Sequence, residues 1–347
     1  MQANSNNNKY IIIDFGKNDR KNLHKQTISN KWQNDIFEFL NKWNDNSDTI
    51  SIKTSGSTGK PKTITAKKQY LTASAKMTCN FFNLTEKSTA LLCLSTDYIA
   101  GKMMIVRAIT AKMKLICIPP SNNPVEQLTF DIDFAAMIPY QVRQAIKKPE
   151  KFNLIKKLII GGGRVESNLI DNLQNFNVNC FETFGMTETY SHIALRQLSP
   201  VKQKYFKTLN NIAISQNKNK ELIIDAENIG VTNLKTNDIV EIIDNDSFIW
   251  KGRHDFVINS GGIKLHPEEI ESEISDLIHT KFYITGIPDK SLGEKAILII
   301  EGKKFDTTDL LSKIKQRLPK YHQPKEIRFI DKFQLTLSGK IKRILLF

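Results

Sequence analysis

Short apolar runs alternate with helix-patterned stretches through the first two thirds of this 347-residue chain, and that alternation limits its fold more than any other feature. Residues 9–15 (KYIIIDF) read as a strand, and the apolar positions from Trp32 to Trp43 recur at helical spacing. Residues 89–94 and 114–118 are strand-like, with a helical segment around 103–110 between them. Residues 156–160 form a strand that runs into three glycines, followed by a helix over 166–176 and a strand over 178–181. Buried strands separated by helices build a largely parallel sheet covered by helical layers.

The pattern changes after about Lys220, where ELIIDAE, DIVEIID and DSFIWKG lie close together, as strands of an antiparallel β subdomain do. A smaller αβ unit is expected beyond Gly252. Its first helix opens at Pro267, with Glu268 and Glu269 suited to the positive end of the helix dipole. A strand near 296–300 and a helix over 307–318 follow. The expected fold class is α/β: a large N-terminal domain over residues 1–252, made of layered α/β sheets plus a β subdomain, and a small α+β C-terminal domain over 253–347.

The hydrophobic fraction of 40% is enough to fill a core in each part, and no stretch approaches the ~20 apolar residues that span a bilayer. The polar start MQANSNNNKY lacks the apolar segment of a secretory signal, so a cytoplasmic protein is expected. The net charge of +14 comes from lysines scattered along the chain, with no zinc-finger, RNP or helix-turn-helix pattern. It suits anionic small ligands better than nucleic acid. Cys79, Cys93, Cys117 and Cys180 form no C-x-x-C pair, which reads as buried reduced thiols.

Four segments could carry chemistry. Thr54, Ser55, Gly56, Ser57, Thr58, Gly59, Lys60, Pro61 and Lys62 concentrate hydroxyls, glycines and lysines, which can cradle a phosphate or simply form a solvated turn. They do not match a Walker P-loop, which needs glycine where Thr54 stands and Ser or Thr where Pro61 stands. In ETFGMTET a strand ends in a glycine turn that exposes Thr187 and Glu188, and Gly161, Gly162 and Gly163 end another strand. Asp238 and Arg253 could engage a ribose diol or a phosphate, or be an ordinary turn and surface pair. LSGKIKR near the C-terminus carries Gly339 and Lys340, which by themselves read equally as a basic tail.

In this order the segments resemble the AMP-forming acyl-CoA synthetase and adenylation-domain superfamily. The match runs through TSGSTGKPK, GGG, FGMTE, the D-x-V at Asp238, G-R-x-D…G-G…P-x-E-I-E over 252–271 and the terminal G-K-x-x-R. The resemblance implies an acid–thiol ligase that uses ATP, Mg²⁺ and coenzyme A. Residues 54–62 would handle the β- and γ-phosphates, and Phe184 with Gly161–Gly163 would wall the adenine. Thr187 would meet the α-phosphate, Glu188 would hold Mg²⁺, and Asp238 and Arg253 would bind the ribose. Asp255 falls at a hinge about which the small domain turns, withdrawing Lys340 and presenting Gly261, Gly262 and Lys264 to the thiol.

There are departures. Thr236-Asn237-Asp238 replaces the usual Thr-Gly-Asp, the proline before the terminal Gly-Lys is missing, and only 53 residues precede the phosphate loop. The short N-terminus and residues 96–108 and 186–196 look like the o-succinylbenzoate–CoA ligases of menaquinone synthesis. A ligase for another aryl or fatty acid, or an enzyme charging a carrier-protein thiol, is the alternative. Arg107, with Lys102 and His192, is the candidate contact for the acid's second carboxylate; Arg196 lies nearby in sequence.

Overall fold

In the computed structural model, which describes residues 10–16, 30–53, 63–335 and 341–343, the chain divides into two compact units. Unit 1 comprises Met1–Val165, Asn172–Ile212 and Ala226–Thr232; unit 2 comprises Glu166–Asp171, Ala213–Asp225 and Asn233–Phe347.

Unit 1 follows the strand–helix alternation of its sequence. Its elements are β1 (Ile11–Asp14), α1 (Lys31–Asn44), β2 (Thr49–Lys53), β3 (Thr63–Lys67), α2 (Lys68–Phe81), β4 (Thr89–Leu92), α3 (Ile99–Thr110) and β5 (Lys114–Cys117). They continue with β6 (Ile132–Met137), α4 (Pro139–Ala145), α5 (Pro149–Phe152), β7 (Ile155–Ile160), β8 (Asn179–Gly185), β9 (His192–Ser199) and β10 (Phe206–Thr208), while most of α6 (Ser167–Leu173) belongs to unit 2. The strand order is β1-β5-β4-β6-β7-β8-β9-β10. Strands β5, β4, β6, β7 and β8 run parallel, while β1 and the β9–β10 side are antiparallel.

The parallel strands are apolar runs with buried Leu91, Phe134, Leu158 and Ile160. Each such side chain contributes about 1.5–3 kcal/mol on burial. All four cysteines are buried and free, and burial pushes the thiols of Cys93 and Cys180 up to about 12.

Unit 2 has two parts. Strands β11 (Ala213–Gln216), β12 (Glu221–Ala226), β13 (Val231–Asp244) and β14 (Ser247–Arg253) lie in the order β14-β13-β12-β11 and form the β subdomain. The smaller part contains β15 (Ile258–Ser260), β16 (Ile263–Leu265), α7 (Pro267–Glu273), β17 (Phe282–Asp289), β18 (Gly293–Glu301), α8 (Thr308–Arg317) and β19 (Glu326–Ile330). Its own core gathers Ile258, Ile270, Ile284, Leu298 and Ile314. Helix α7 opens at Pro267 with Glu268 and Glu269 in its first turn, as its sequence predicts. The α/β class with a β subdomain and a small α+β part is the one expected. Among the described residues no helix is long and apolar enough to cross a membrane.

Candidate active site

Strands β4, β6, β7 and β8 are parallel neighbours, so their carboxyl ends open on one edge of the sheet, where ligands of α/β proteins bind. Gly161–Gly163 follow β7 on that edge. Gly161 donates its N–H to the Met137 carbonyl at 3.0 Å, and a Cβ on Gly161 would stand only 2.5 Å from Thr183 Oγ1. Gly162 has φ +79°, a conformation that glycine adopts without strain. The loop therefore lies flat against β8 with bare backbone.

Phe184, near the end of β8, has its ring 5.7 Å from that of Phe206. Thr187 and Glu188 sit in the 3₁₀ turn Thr187–Thr189, with Thr187 half-buried and Glu188 exposed. Thr189 pins this turn: its hydroxyl accepts the Met186 N–H at 3.0 Å and donates to the Ser191 carbonyl at 2.8 Å. Tyr190 then takes φ +61°. A bulky residue held there stores about 1–3 kcal/mol of strain, a feature that clusters at ligand sites.

Two groups in this half escape a motif reading. Buried Glu182 accepts the Val165 N–H at 2.9 Å through one oxygen and pairs with Arg196 through the other. It thus ties the chain just beyond the three glycines to β8. Arg196 in turn lies 5.3 Å from the Phe206 ring centre. Arg196 is therefore held between Glu182 and the Phe206 ring.

Arg107, on α3, is 2% exposed. One Nη donates to Ser191 Oγ at 2.6 Å and the other faces Met104 Sδ at 3.6 Å, while the buried Nε has no partner. Among the described residues no carboxylate pairs with it. Burial lowers its pKa to about 10. Burial and the adjacent Arg107 charge hold the His192 imidazole well below its usual range, so His192 is neutral. His192 Nε2 lies 3.1 Å from Thr78 Oγ1, and Nδ1 lies 3.4 Å from Ser191 Oγ. Arg107, Ser191, His192 and Thr78 thus form one buried polar chain. Lys102 donates its amine to the Asp97 carbonyl at 3.3 Å in a more exposed place.

In unit 2, Asp238 and Arg253 are register partners across β13 and β14. Asp238 is 8% exposed and accepts the Trp250 indole N–H at 2.8 Å. Arg253 pairs with Asp255 at 2.7 Å, and the Asn237 amide donates to both Asp255 oxygens at 3.0 and 3.3 Å. Partial burial works against ionisation of Asp255. The hydrogen bonds from Arg253 and Asn237 outweigh it and hold the carboxyl below its ordinary range.

Gly261 and Gly262 form the two-residue turn between β15 and β16, with φ +58° and +82° at the two positions. Positive φ at both residues is the hairpin geometry that glycine satisfies best. Lys264, opposite Asn259, is exposed. Arg343 grips Glu271 through two bonds of 2.7 and 2.6 Å and lies 4.9 Å from the Phe256 ring centre.

Thr54–Lys62 and Lys340 fall outside the described residues. The strands that flank the first segment pair directly, Lys53 opposite Thr63.

The layering of a largely parallel sheet with helices, its strand ends lined by glycines, is that of an adenylate-forming ligase. The chain belongs to the AMP-binding enzyme family, whose family model matches residues 2–215. It is similar to a solved acyl-CoA synthetase (AMP-forming)/AMP-acid ligase II-like protein from Dyadobacter fermentans, at 32% identity, covering 96% of this chain and 97% of that one with a TM-score of 0.66. It shares its fold with the o-succinylbenzoate coenzyme A synthetase of Bacillus subtilis solved with ATP and a magnesium ion, at 21% identity over 84% of this chain and 68% of that one, TM-score 0.71. It is also 25% identical to the 2-succinylbenzoate–CoA ligase of Staphylococcus epidermidis, over 84% of this chain and 67% of the relative. The Escherichia coli ligase of the same name is 25% identical over 83% of this chain and 64% of its own length. The chain thus spans about two thirds of the length of these curated relatives. The family resemblance read from the motifs is borne out.

Proposed function

We propose that the chain activates a carboxylic acid with ATP, releasing pyrophosphate, and passes the acyl group from the acyl-adenylate to coenzyme A, with o-succinylbenzoate as the acid. The observation that carries the choice of acid is Arg107, a buried guanidinium without a carboxylate partner among the described residues. Burying an unpaired charge costs several kcal/mol, so the site calls for an anion. o-Succinylbenzoate activates its aliphatic carboxylate and keeps an aryl carboxylate, which a planar guanidinium can hold with two parallel hydrogen bonds. The names of the curated relatives support the same reading.

In this reading Gly161–Gly163 and Phe184 wall the adenine, and Asp238 and Arg253 hold the ribose. Thr187 reaches the α-phosphate and residues 54–62 the β- and γ-phosphates. The described residues contain no cluster of three or more His, Cys, Asp or Glu that would cage a metal. Mg²⁺ bound with a nucleotide uses one or two carboxylates, the phosphates and water, and the exposed Glu188 fits that mode. Once bound, the ion adds positive charge against the phosphate oxygens. Lys340 offsets the charge that builds where the acid's carboxylate meets the α-phosphate.

Residues 1–252 and 253–347 are the two moving parts in this proposal, with Asp255 at the hinge and Gly261, Gly262 and Lys264 on the thiol side. Asp255→Pro is then expected to slow thiolysis more than adenylation, because proline fixes φ near −65°. The carboxylate of Asp255 also holds Arg253, so Asp255→Ala is the control that separates that loss from backbone stiffening. Single-turnover rates of the two half-reactions measure both, and a proline variant that matches the alanine variant in thiolysis would take Asp255 out of the hinge.

ATP-dependent pyrophosphate release across a panel of acids, with and without coenzyme A, tests the function itself. o-Succinylbenzoate should be preferred, with turnover requiring coenzyme A. Equal turnover of 4-phenylbutyrate, which lacks the aryl carboxylate and the ketone, would sink the choice of acid. Turnover only with a carrier-protein thiol would sink the choice of acceptor.

A further inference from the structure

Trp250 is not part of any motif that marks the chain as adenylate-forming, yet its side chain bonds directly to Asp238. Its indole N–H donates to Asp238 Oδ1 at 2.8 Å. The strand register explains how it gets there. Along the β13–β14 ladder Asp238 pairs with Arg253 and Ile239 with Gly252, but Val240 pairs with Trp250. Lys251 is the extra residue of a β-bulge.

Side chains alternate faces along a strand, so residues three apart normally point to opposite faces. The bulge cancels one alternation, and bulges next to active sites re-aim side chains in this way. Trp250 and Arg253 therefore both share the face of Asp238. On that face Val240 and Phe248 are fully buried and seat the indole's strand, while Thr236 Oγ1 accepts the Asp238 backbone N–H at 3.1 Å. The backbone N–H and the carboxylate of Asp238 are thus both anchored.

We infer that Trp250 is a positioning residue for the nucleotide: it sets the rotation of the Asp238 carboxylate so that its remaining lone pairs meet a ribose diol. This rests on the proposed role of Asp238 in ribose binding. An indole is a donor only, so it can neither compete for the ribose hydrogens nor accept from Arg253. A carboxylate has about four lone-pair directions, and a bond from a fixed ring to one oxygen sets the plane in which they lie. Without that donor the carboxylate loses its bond to a fixed ring, and a ribose must reorder it on binding.

The test compares ATP with 2′,3′-dideoxy-ATP as substrates for adenylate formation in the wild-type protein and in Trp250→Phe. A hydrogen bond to a charged group corresponds to roughly ten- to a hundredfold in affinity. The wild type should therefore prefer ATP by at least about tenfold in kcat/KM, carried mainly by KM. Trp250→Phe should lose most of that preference through a raised KM for ATP, with little change for the dideoxy nucleotide. The ratio of two substrates on one preparation is independent of the fraction folded. If the phenylalanine variant is insoluble, β-(3-benzothienyl)alanine at position 250 keeps the bicyclic ring and removes only the N–H. A variant that keeps the wild-type preference overturns the inference and leaves the ribose role of Asp238 standing. A wild type with no preference overturns that role, and the inference with it.

Discussion

Replacing Arg107 with leucine is expected to raise the KM for o-succinylbenzoate by more than tenfold while leaving the KM for ATP nearly unchanged. Arg107 enters from α3, 2% exposed, and among the described residues its guanidinium bonds to the side chains of Ser191 and Met104 alone. His192 is held neutral, so the guanidinium is the cation of this cluster. Truncating one partner of a buried charge pair costs about 2–5 kcal/mol, which corresponds to roughly thirtyfold or more.

The same substitution should not destabilise the free protein in proportion. Leucine preserves much of the apolar stem and removes a charge whose burial is itself costly, several kcal/mol per ion. Thermal unfolding of the acid-free protein separates the two effects. A KM for the acid that stays put clears Arg107 from the pocket. A fall in stability that tracks the loss of activity would make Arg107 a packing residue instead.

The strands that are easiest to read in the sequence are those buried in unit 1. β4, β5 and β7 are apolar runs bounded by polar residues or glycine, and a run of that kind has few other folds open to it. β6 (IDFAAM) escaped because a polar residue follows its first and its small residues mute the apolar signal. The 14 residues of β13 were legible only over DIVEIID, since its first half, VTNLKT, alternates weakly and carries Asn233 at φ +48°.

At the site, glycine and charge patterns pointed to the segments but not to their partners. Sequence spacing cannot tell that Arg196 is taken by Glu182, fourteen positions away across the β8–β9 hairpin. Nor can it tell that Arg343 of the terminal motif closes on Glu271 of P-x-E-I-E. Ser191 was silent for the same reason. A serine after a tyrosine carries no pattern, and its importance comes from the left-handed turn at Tyr190 that carries the chain round to Arg107 and His192. Trp250 needed the bulge at Lys251, which no periodicity reports.

Lys340→Ala is expected to cut adenylate formation by about 10²–10³-fold, the usual loss when a preorganised charge is removed from a developing anion. Thiolysis of a supplied acyl-adenylate should remain largely intact. The described residues on either side of Lys340 are anchored. The Lys342 N–H donates to the Gln334 carbonyl at 2.9 Å, and Leu335 bridges Ile341. Arg343 locks the strand end to Glu271 with two bonds of 2.7 and 2.6 Å and a third to the Ile284 carbonyl at 3.1 Å. Burial disfavours the charged Arg343, but Glu271 and Glu268 outweigh it, so the guanidinium stays charged and the clasp persists. Arg343, three residues beyond Lys340, is therefore held at a fixed place on the small α+β part. Alanine at 340 removes the ammonium and touches none of these anchors, so thermal unfolding should be unchanged. Rapid-quench measurement of the two half-reactions separates the roles. If both rates fell together, Lys340 would act in a single arrangement of the two parts, and the proposed withdrawal of this residue between steps would be wrong.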